Sequence, residues 1–157
     1  MPSNILLLSI KPEYADKIFK YKTKKIELRR VRTRLTEGDI VMVYISSPVK
    51  VFFGSFEVEK VIERQASRQE LINFWNEYKS HVGITKNEFN NYYEGAEIVV
   101  GILIKNVMPF EKPVELSRLQ EQLSYLRPPQ SYRYLNENEY EKIKALGEEN
   151  KAALSHE

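Results

Sequence analysis

Residues 4–10 form an apolar run of strand length, and Pro12 follows where its missing N–H suits the first turn of a helix. Ala15, Ile18 and Phe19 then recur at helical spacing, which predicts a short amphipathic helix with Lys17 and Lys20 turned away from the core. From Lys24 the period drops to two. Ile26 and Leu28 share one face of a predicted strand, and Glu27 and Arg29 project together from the other. Glu37, Gly38 and Asp39 make a turn ahead of residues 40–45, a nearly continuous apolar run that suits a strand buried on both faces or closed into a small barrel. Ser46, Ser47 and Pro48 end it. Residues 50–62 predict a long neighbouring strand, with Gly54 and Ser55 marking a bulge or sharp bend.

Two helices carry explicit start signals. Ser67 with Glu70 reads as a capping box ahead of Leu71, Phe74, Trp75 and Tyr78, which fall at i, i+3, i+4 and i+7. Thr85 with Glu88 repeats the device before Phe89, Tyr92 and Tyr93, and Gly95 is placed to end that helix. Phe74, Trp75 and Phe89 read as core. Tyr92 and Tyr93 are adjacent and cannot both face inward equally well, so one phenol is expected to reach a cleft. Residues 98–110 predict the last long strand, with Pro109 and Pro113 preventing its continuation in a central position. Leu116, Leu119 and Leu123 suggest a short helix. The paired prolines of the segment 127–135, RPPQSYRYL, force an extended backbone, which reads either as a polar and aromatic binding strip or as a closing strand. Asn136 and Glu139 start a polar helix with Tyr140, Ile143 and Leu146 inward, expected to fray beyond Gly147 and to leave His156 in an inert tail. The division expected is one domain over residues 1–135 and a helical appendage over 136–157.

At 157 residues the chain suits one domain with a real core. The absence of cysteine excludes disulfides, thiolate nucleophiles and cysteine-held zinc, and two histidines are too few for a histidine-based metal site without several carboxylates. No metal and no cofactor is expected. No apolar run is long enough to span a bilayer and no secretory h-region follows a basic start, so the expected location is the cytoplasm. Charge changes the picture more. The whole chain carries +2, yet residues 1–34 hold ten Lys or Arg against three Asp or Glu, a local balance of +7. Such asymmetry fits either a solvated lysine-rich face or an anion-binding face, for which nucleic acid is the commonest large anion. Within it, Lys24 and Arg29 flank Glu27 on a stiff strand. That trio forms either an ion pair that organises the strand or the floor of a binding cleft.

The runs SIKPEYADKIF, KTKKIELRR, GDIVMVYISSPVK and GSFEV, in this order, resemble the ASCH domain of the PUA-like superfamily, and EFNNYYEG and PPQSYRYL are similar to segments of bacterial and phage ASCH proteins described as predicted transcriptional regulators. The resemblance covers residues 5–135. It implies an α+β fold, a small mixed β-barrel flanked by helices and followed by a C-terminal helix. It also implies a cleft lined by Lys11, Lys24, Glu27 and Arg29, faced by Ser46, Ser47 and Lys50, with Tyr93, Tyr132 or Tyr134 able to stack on a base. The expected function is binding of RNA or a nucleotide-like ligand in an electropositive cleft, where the carboxylate accepts from a base edge and the cations hold phosphate. No membrane partner is expected, and the residues leave the oligomeric state open.

The alternative is a metal-independent hydrolase acting on RNA or a modified nucleoside, with Lys24 and Glu27 at its centre and Ser46 and Ser47 as further candidates in a ribonuclease. One ASCH group resembles amidohydrolases acting on acylated cytidine through a K-x-x-T-x-R pattern. Here Lys24 and Arg29 match, but Glu27 stands at the threonine, and the expected acid falls near His81 and Val82, where there is no carboxylate. The departure removes that mechanism as written, while Glu27 with a water remains a candidate general base.

Overall fold

The computed structural model describes residues 3–155, with side chains described for 3–148; His156 lies outside them. Six strands form one mixed sheet: β1 (Ile5–Ile10), β2 (Ile26–Arg29), β3 (Ile40–Ile45), β4 (Val51–Gln65), β5 (Ile98–Glu115) and β6 (Tyr132–Tyr134). Their order across the sheet is β2-β5-β4-β3-β1-β6. Among the described residues five helices accompany them: α1 (Pro12–Phe19), α2 (Arg68–Tyr78), α3 (Lys86–Tyr93), α4 (Leu116–Gln120) and α5 (Glu137–Ser155). The fold is α+β, a curled half-barrel sheet with a C-terminal helix, as the sequence implied.

Alternation along the central strands sends side chains to two cores. Leu6, Leu8 and Ile10 of β1 join Val41, Val43 and Ile45 of β3 beneath Ala15, Ile18 and Phe19 of α1. Leu7, Met42 and Phe52 point the other way, onto Leu119, Ile143 and Leu146 from the C-terminal part of the chain. A third cluster is local to the site. Ile26 and Leu28 of β2 pack with Phe74 of α2 and with Phe89 and Tyr93 of α3.

The helix starts fall where expected, although the box read at Ser67 forms only its Ser67 half among the described residues. Ser67 accepts from the Glu70 N–H at 3.2 Å, and Thr85 and Glu88 form a full reciprocal box. Asn136 and Glu139 exchange hydrogen bonds at 2.8 and 2.9 Å to start α5, whose helical backbone continues past Gly147 to Ser155. The irregularity expected at Gly54 is present as register shifts on either side of Gly54 and Ser55. A Cβ there would lie 2.5 Å from the Met108 carbonyl oxygen and 2.7 Å from the Pro109 Cα, so only glycine permits this approach of β4 to β5.

One expectation needs correction. β5 does not stop near Phe110 but runs through Pro109 and Pro113 to Glu115. β2 covers only Val100 to Leu103 on one side of β5, while β4 stays paired with it as far as Glu115. Beyond the reach of β2 the prolines sit on an open edge, where a missing N–H removes no ladder bond.

Asp39, predicted only as a turn residue, proves to be a buried anchor. It accepts from the backbone N–H groups of Ser3, Asn4 and Thr36 at 2.9–3.1 Å. Burial alone would raise its carboxyl, but the bonds from Thr36, Asn4 and Ser3 outweigh it and hold the group below the usual aspartate range. A depressed folded-state value means that this stabilisation is complete above the unfolded-state pKa of about 3.9 and is lost as pH falls through the folded value. Asp39→Asn should therefore cost about 1–3 kcal/mol at pH 7 in urea unfolding, with the gap from the parent narrowing as pH falls below the ordinary aspartate range.

Candidate functional site

β2 is short and, among the described residues, its only strand partner is β5, so the loop between α2 and α3 supplies much of what fixes it. The Lys25 and Ile26 N–H groups both donate to the His81 carbonyl, at 2.7 and 3.1 Å. Lys17 of α1 donates to the Gly83 carbonyl at 2.7 Å, and Lys24 to the Val82 carbonyl at 2.9 Å. Gly83 has φ +67°, and a Cβ on it would stand 2.8 Å from that of Lys24. Glycine there satisfies both the backbone angle and the close approach.

The period-two reading of β2 holds at atomic level. Glu27 and Arg29 lie on one side, with Arg29 Nη2 3.4 Å from Glu27 Oε2, while Lys24 Nζ stands 3.5 Å from Oε1. The Lys24 side chain is 4% exposed and that of Glu27 10%, so both charges are largely out of water. Burial pushes the Lys24 ammonium below the ordinary lysine range, and the Glu27 carboxylate opposes that shift without cancelling it.

Beside this trio lies a hollow of about 280 Å³ between the end of β1, α1, β2 and α3. Lys11, Lys24, Glu27 and Arg29 line it, together with Ser9, Tyr14, Leu28, Ile84, Glu88 and Tyr92. Tyr14 donates to Glu88 at 3.1 Å and Tyr92 to the Leu28 carbonyl at 3.2 Å, so each ring is pinned at its phenol. Burial raises the pKa of both phenols, and Glu88 adds to the rise at Tyr14.

The buried acids divide into two kinds. Asp39 and Glu139 are held by short hydrogen bonds, Glu139 from Tyr125 at 2.8 Å, Arg133 at 3.0 Å and the Asn136 N–H at 2.9 Å. Glu27 has no such set among the described residues. Its charged neighbours stand at 3.4 and 3.5 Å, beyond the roughly 2.7–2.9 Å of a charge-assisted bond. On the other side of the pair, among the described residues, Arg29 Nε and Nη2 are buried without a hydrogen-bond partner, and Nη1 makes a 3.3 Å bond to Ser131. A largely buried cluster with slack contacts thus lies beside an open hollow.

The remaining sequence candidates fall elsewhere. Ser46, Ser47 and Lys50 occupy the β3–β4 turn and do not line the hollow; Ser46 is tied to the Ile10 carbonyl by its N–H at 3.0 Å. Tyr93 is buried and donates to the Arg29 carbonyl at 3.0 Å, so of the adjacent pair it is Tyr92 that reaches the cleft. Tyr132 and Tyr134 lie on β6 and are bonded through their phenols to the loop after β2, Tyr132 donating to the Arg32 carbonyl and Tyr134 accepting from the Arg34 N–H. Sequence reasoning missed Ser9, Tyr14 and Glu88. The position of Tyr14 one residue before Ala15, and the use of Glu88 in a capping box, disguised both as local structure. No group of three or more His, Asp or Glu among the described residues could hold a metal ion. No described helix is long and apolar enough to cross a membrane.

Residues 6–123 match the family described as Domain of unknown function (DUF365). The chain belongs to that family. The "ASCH domain-containing ribonuclease" of Zymomonas mobilis is 26% identical over 140 residues, which cover 89% of this DUF365 chain and 90% of that protein. The crystal structure of ASCH from Zymomonas mobilis matches with a TM-score of 0.80 at 24% identity, over 91% of this chain and 95% of that one. The DUF365 domain described here therefore has the ASCH, PUA-like fold. Large ribosomal subunit protein uL22 of Ureaplasma parvum is 25% identical over 130 residues, 83% of this chain but 39% of that protein.

Proposed function

We propose that this protein binds RNA, or a nucleotide-like ligand, by admitting one base to the hollow beside Glu27. The observation that carries this reading is the contrast among buried acids: Glu27 alone among Asp39, Glu139 and itself lacks short hydrogen bonds while facing an open cavity. A volume of about 280 Å³ falls just below the ~300–1,000 Å³ of drug-sized sites, a size for one ring system rather than a length of chain. Exposed Lys11 stands at its edge, where a phosphate continuing from the bound nucleotide would pass. Two relatives bear RNA-linked names, one a ribonuclease and one a ribosomal protein, which favours RNA over other anions. The working location on this reading is the cytoplasm, and a regulatory output would follow from occupancy of the cleft.

Fluorescence anisotropy with short single-stranded RNA tests it. Lys11→Ala should weaken binding to all sequences alike and flatten the salt dependence by roughly 0.7 in log–log slope, the value for one phosphate no longer neutralised. Glu27→Gln should leave that salt slope in place and lower discrimination between bases. An affinity in the parent that does not change with salt would remove nucleic acid from consideration.

A second reading, cleavage of the bound strand, is favoured by the ribonuclease name of the Zymomonas mobilis relative and by the lowered proton affinity of Lys24. Glu27 would take the proton of a 2′-hydroxyl as its oxygen attacks the adjacent phosphorus. The P–O5′ bond would break and Lys24 would protonate the departing oxygen, leaving a 2′,3′-cyclic phosphate and a free 5′-hydroxyl. Turnover lost in both Glu27→Gln and Lys24→Ala, with RNA still bound, would support this reading. Intact RNA after prolonged incubation with the parent protein would end it.

A further inference from the structure

Resting on the binding reading above, we infer that the ligand is a strand and not a free nucleoside: a second nucleotide lies in the groove that borders the hollow, and the phosphate joining the two rests on Lys17. That groove, of about 320 Å³, is lined by Lys17, Thr23, Lys79 and Ser80 among others. It shares Ile84 and Glu88 with the hollow, so the two depressions meet at a common rim. Lys17 stands there. Its ammonium lies 5.6 Å from the centre of the Tyr14 ring, which lines the hollow, and donates at 2.7 Å to the carbonyl of Gly83, which lines the groove. Among the described residues only one of its three N–H groups is taken by a hydrogen bond.

A cation fixed between two depressions suits the link between two nucleosides. Lys17 is half-buried and tied to the main chain, so it has already lost much of the side-chain freedom that a surface lysine gives up when it meets a phosphate. Lys79 is exposed and, among the described residues, its ammonium has no ion-pair or hydrogen-bond partner, which suits the next phosphate along. The hydroxyls of Thr23 and Ser80 can donate to phosphate or sugar oxygens, contacts that position a strand without reading its sequence. On α1, Lys11, Tyr14 and Lys17 recur every third residue, so the ring that lines the hollow has a cation before it and a cation after it. Glu88 also borders both depressions, but the Thr85 N–H and the Tyr14 phenol occupy its two oxygens, and Lys17 offsets its charge.

Calorimetric titration tests this with the 5′-monophosphates of the four ribonucleosides, the matching dinucleoside monophosphates and the matching tetranucleotides. For the base bound best, the dinucleoside monophosphate should bind at least tenfold more tightly than the mononucleotide, although each carries one phosphate. Lys79→Ala should weaken the tetranucleotide roughly threefold or more and flatten its salt dependence by about 0.7 in log–log slope, with the mononucleotide unchanged. Lys17→Gln, which can still donate to the Gly83 carbonyl, should weaken both the tetranucleotide and the dinucleoside monophosphate, with the melting temperature held. Mononucleotides binding as tightly as tetranucleotides would overturn the strand and leave the hollow as a nucleotide site. Affinity that rises with length but is unchanged in both variants would overturn the groove and leave RNA binding standing. A loss confined to Lys17→Gln would report the 81–83 loop and overturn the groove likewise, and no binding of any probe would overturn both readings.

Discussion

Glu27→Ala is expected to lower the unfolding free energy by about 3–5 kcal/mol, because it removes the anion from two largely buried cations and leaves them uncompensated. Urea unfolding at pH 7 reads this directly. Lys24 bears most of the effect: its ammonium is already disfavoured by burial, and the carboxylate is what chiefly opposes that. Arg29 is affected too, since its Nη2, the nitrogen that faces Glu27, is itself buried although the side chain as a whole is 15% exposed. The double replacement Lys24→Met with Glu27→Leu should recover much of the loss, since filling the space with apolar groups removes charges that have to be desolvated. RNA binding should not recover with it. A double variant as stable as the parent but unable to bind would separate the two roles of the trio, whereas full binding without either charge would remove the trio from the site.

Phe74→Ala should cost about 3–5 kcal/mol, the usual range for deleting a fully buried aromatic ring, and should also reduce affinity for RNA although Phe74 touches no part of the hollow. The ring lies against Gly101, the β5 residue opposite Leu28, and shares a cluster with Ile26 and Leu28. It therefore supports from behind the strand that presents Glu27 and Arg29. Phe52→Ala is the control. That ring is equally buried but belongs to the cluster under α4 and α5, on the other face of the sheet. A similar drop in stability with unchanged affinity is expected there, measured well below the melting temperature of both variants. Equally weakened binding in the two would mean that general loosening, not the placement of β2, controls affinity.

What could be read from the sequence was local. The alternation at residues 26–29 placed Glu27 and Arg29 on one side correctly, because a strand has only two faces. The Thr85 and Asn136 starts were legible because a cap is a contact over three residues. The contributions of Tyr14, Glu88 and the 81–83 carbonyls were not, since each depends on which distant segment arrives beside β2. A backbone carbonyl leaves no mark of its function in a sequence. The choice between Tyr92 and Tyr93 failed for a related reason: the two point about 100° apart on α3, and which direction meets the core depends on how the helix is docked, which sets Tyr93 against Phe89 inside. The prolines of β5 misled because the rule about central strands applies to the stretch that is flanked, and how far β2 extends along its neighbour is a tertiary fact.

Two main-chain oxygens at the end of β2, those of Leu28 and Arg29, accept phenol hydrogens from neighbouring residues of one helix. β2 is also the outermost member of the sheet on that side, the kind of border that invites a foreign segment to dock and propagate. Successive carbonyls of a strand point to opposite sides, so one of these two hydroxyls from α3, and not a further ribbon of chain, stands on the outer side of the strand end. A phenol that shields a border carbonyl leaves one acceptor fewer for a foreign strand at the place where the cargo is expected to enter.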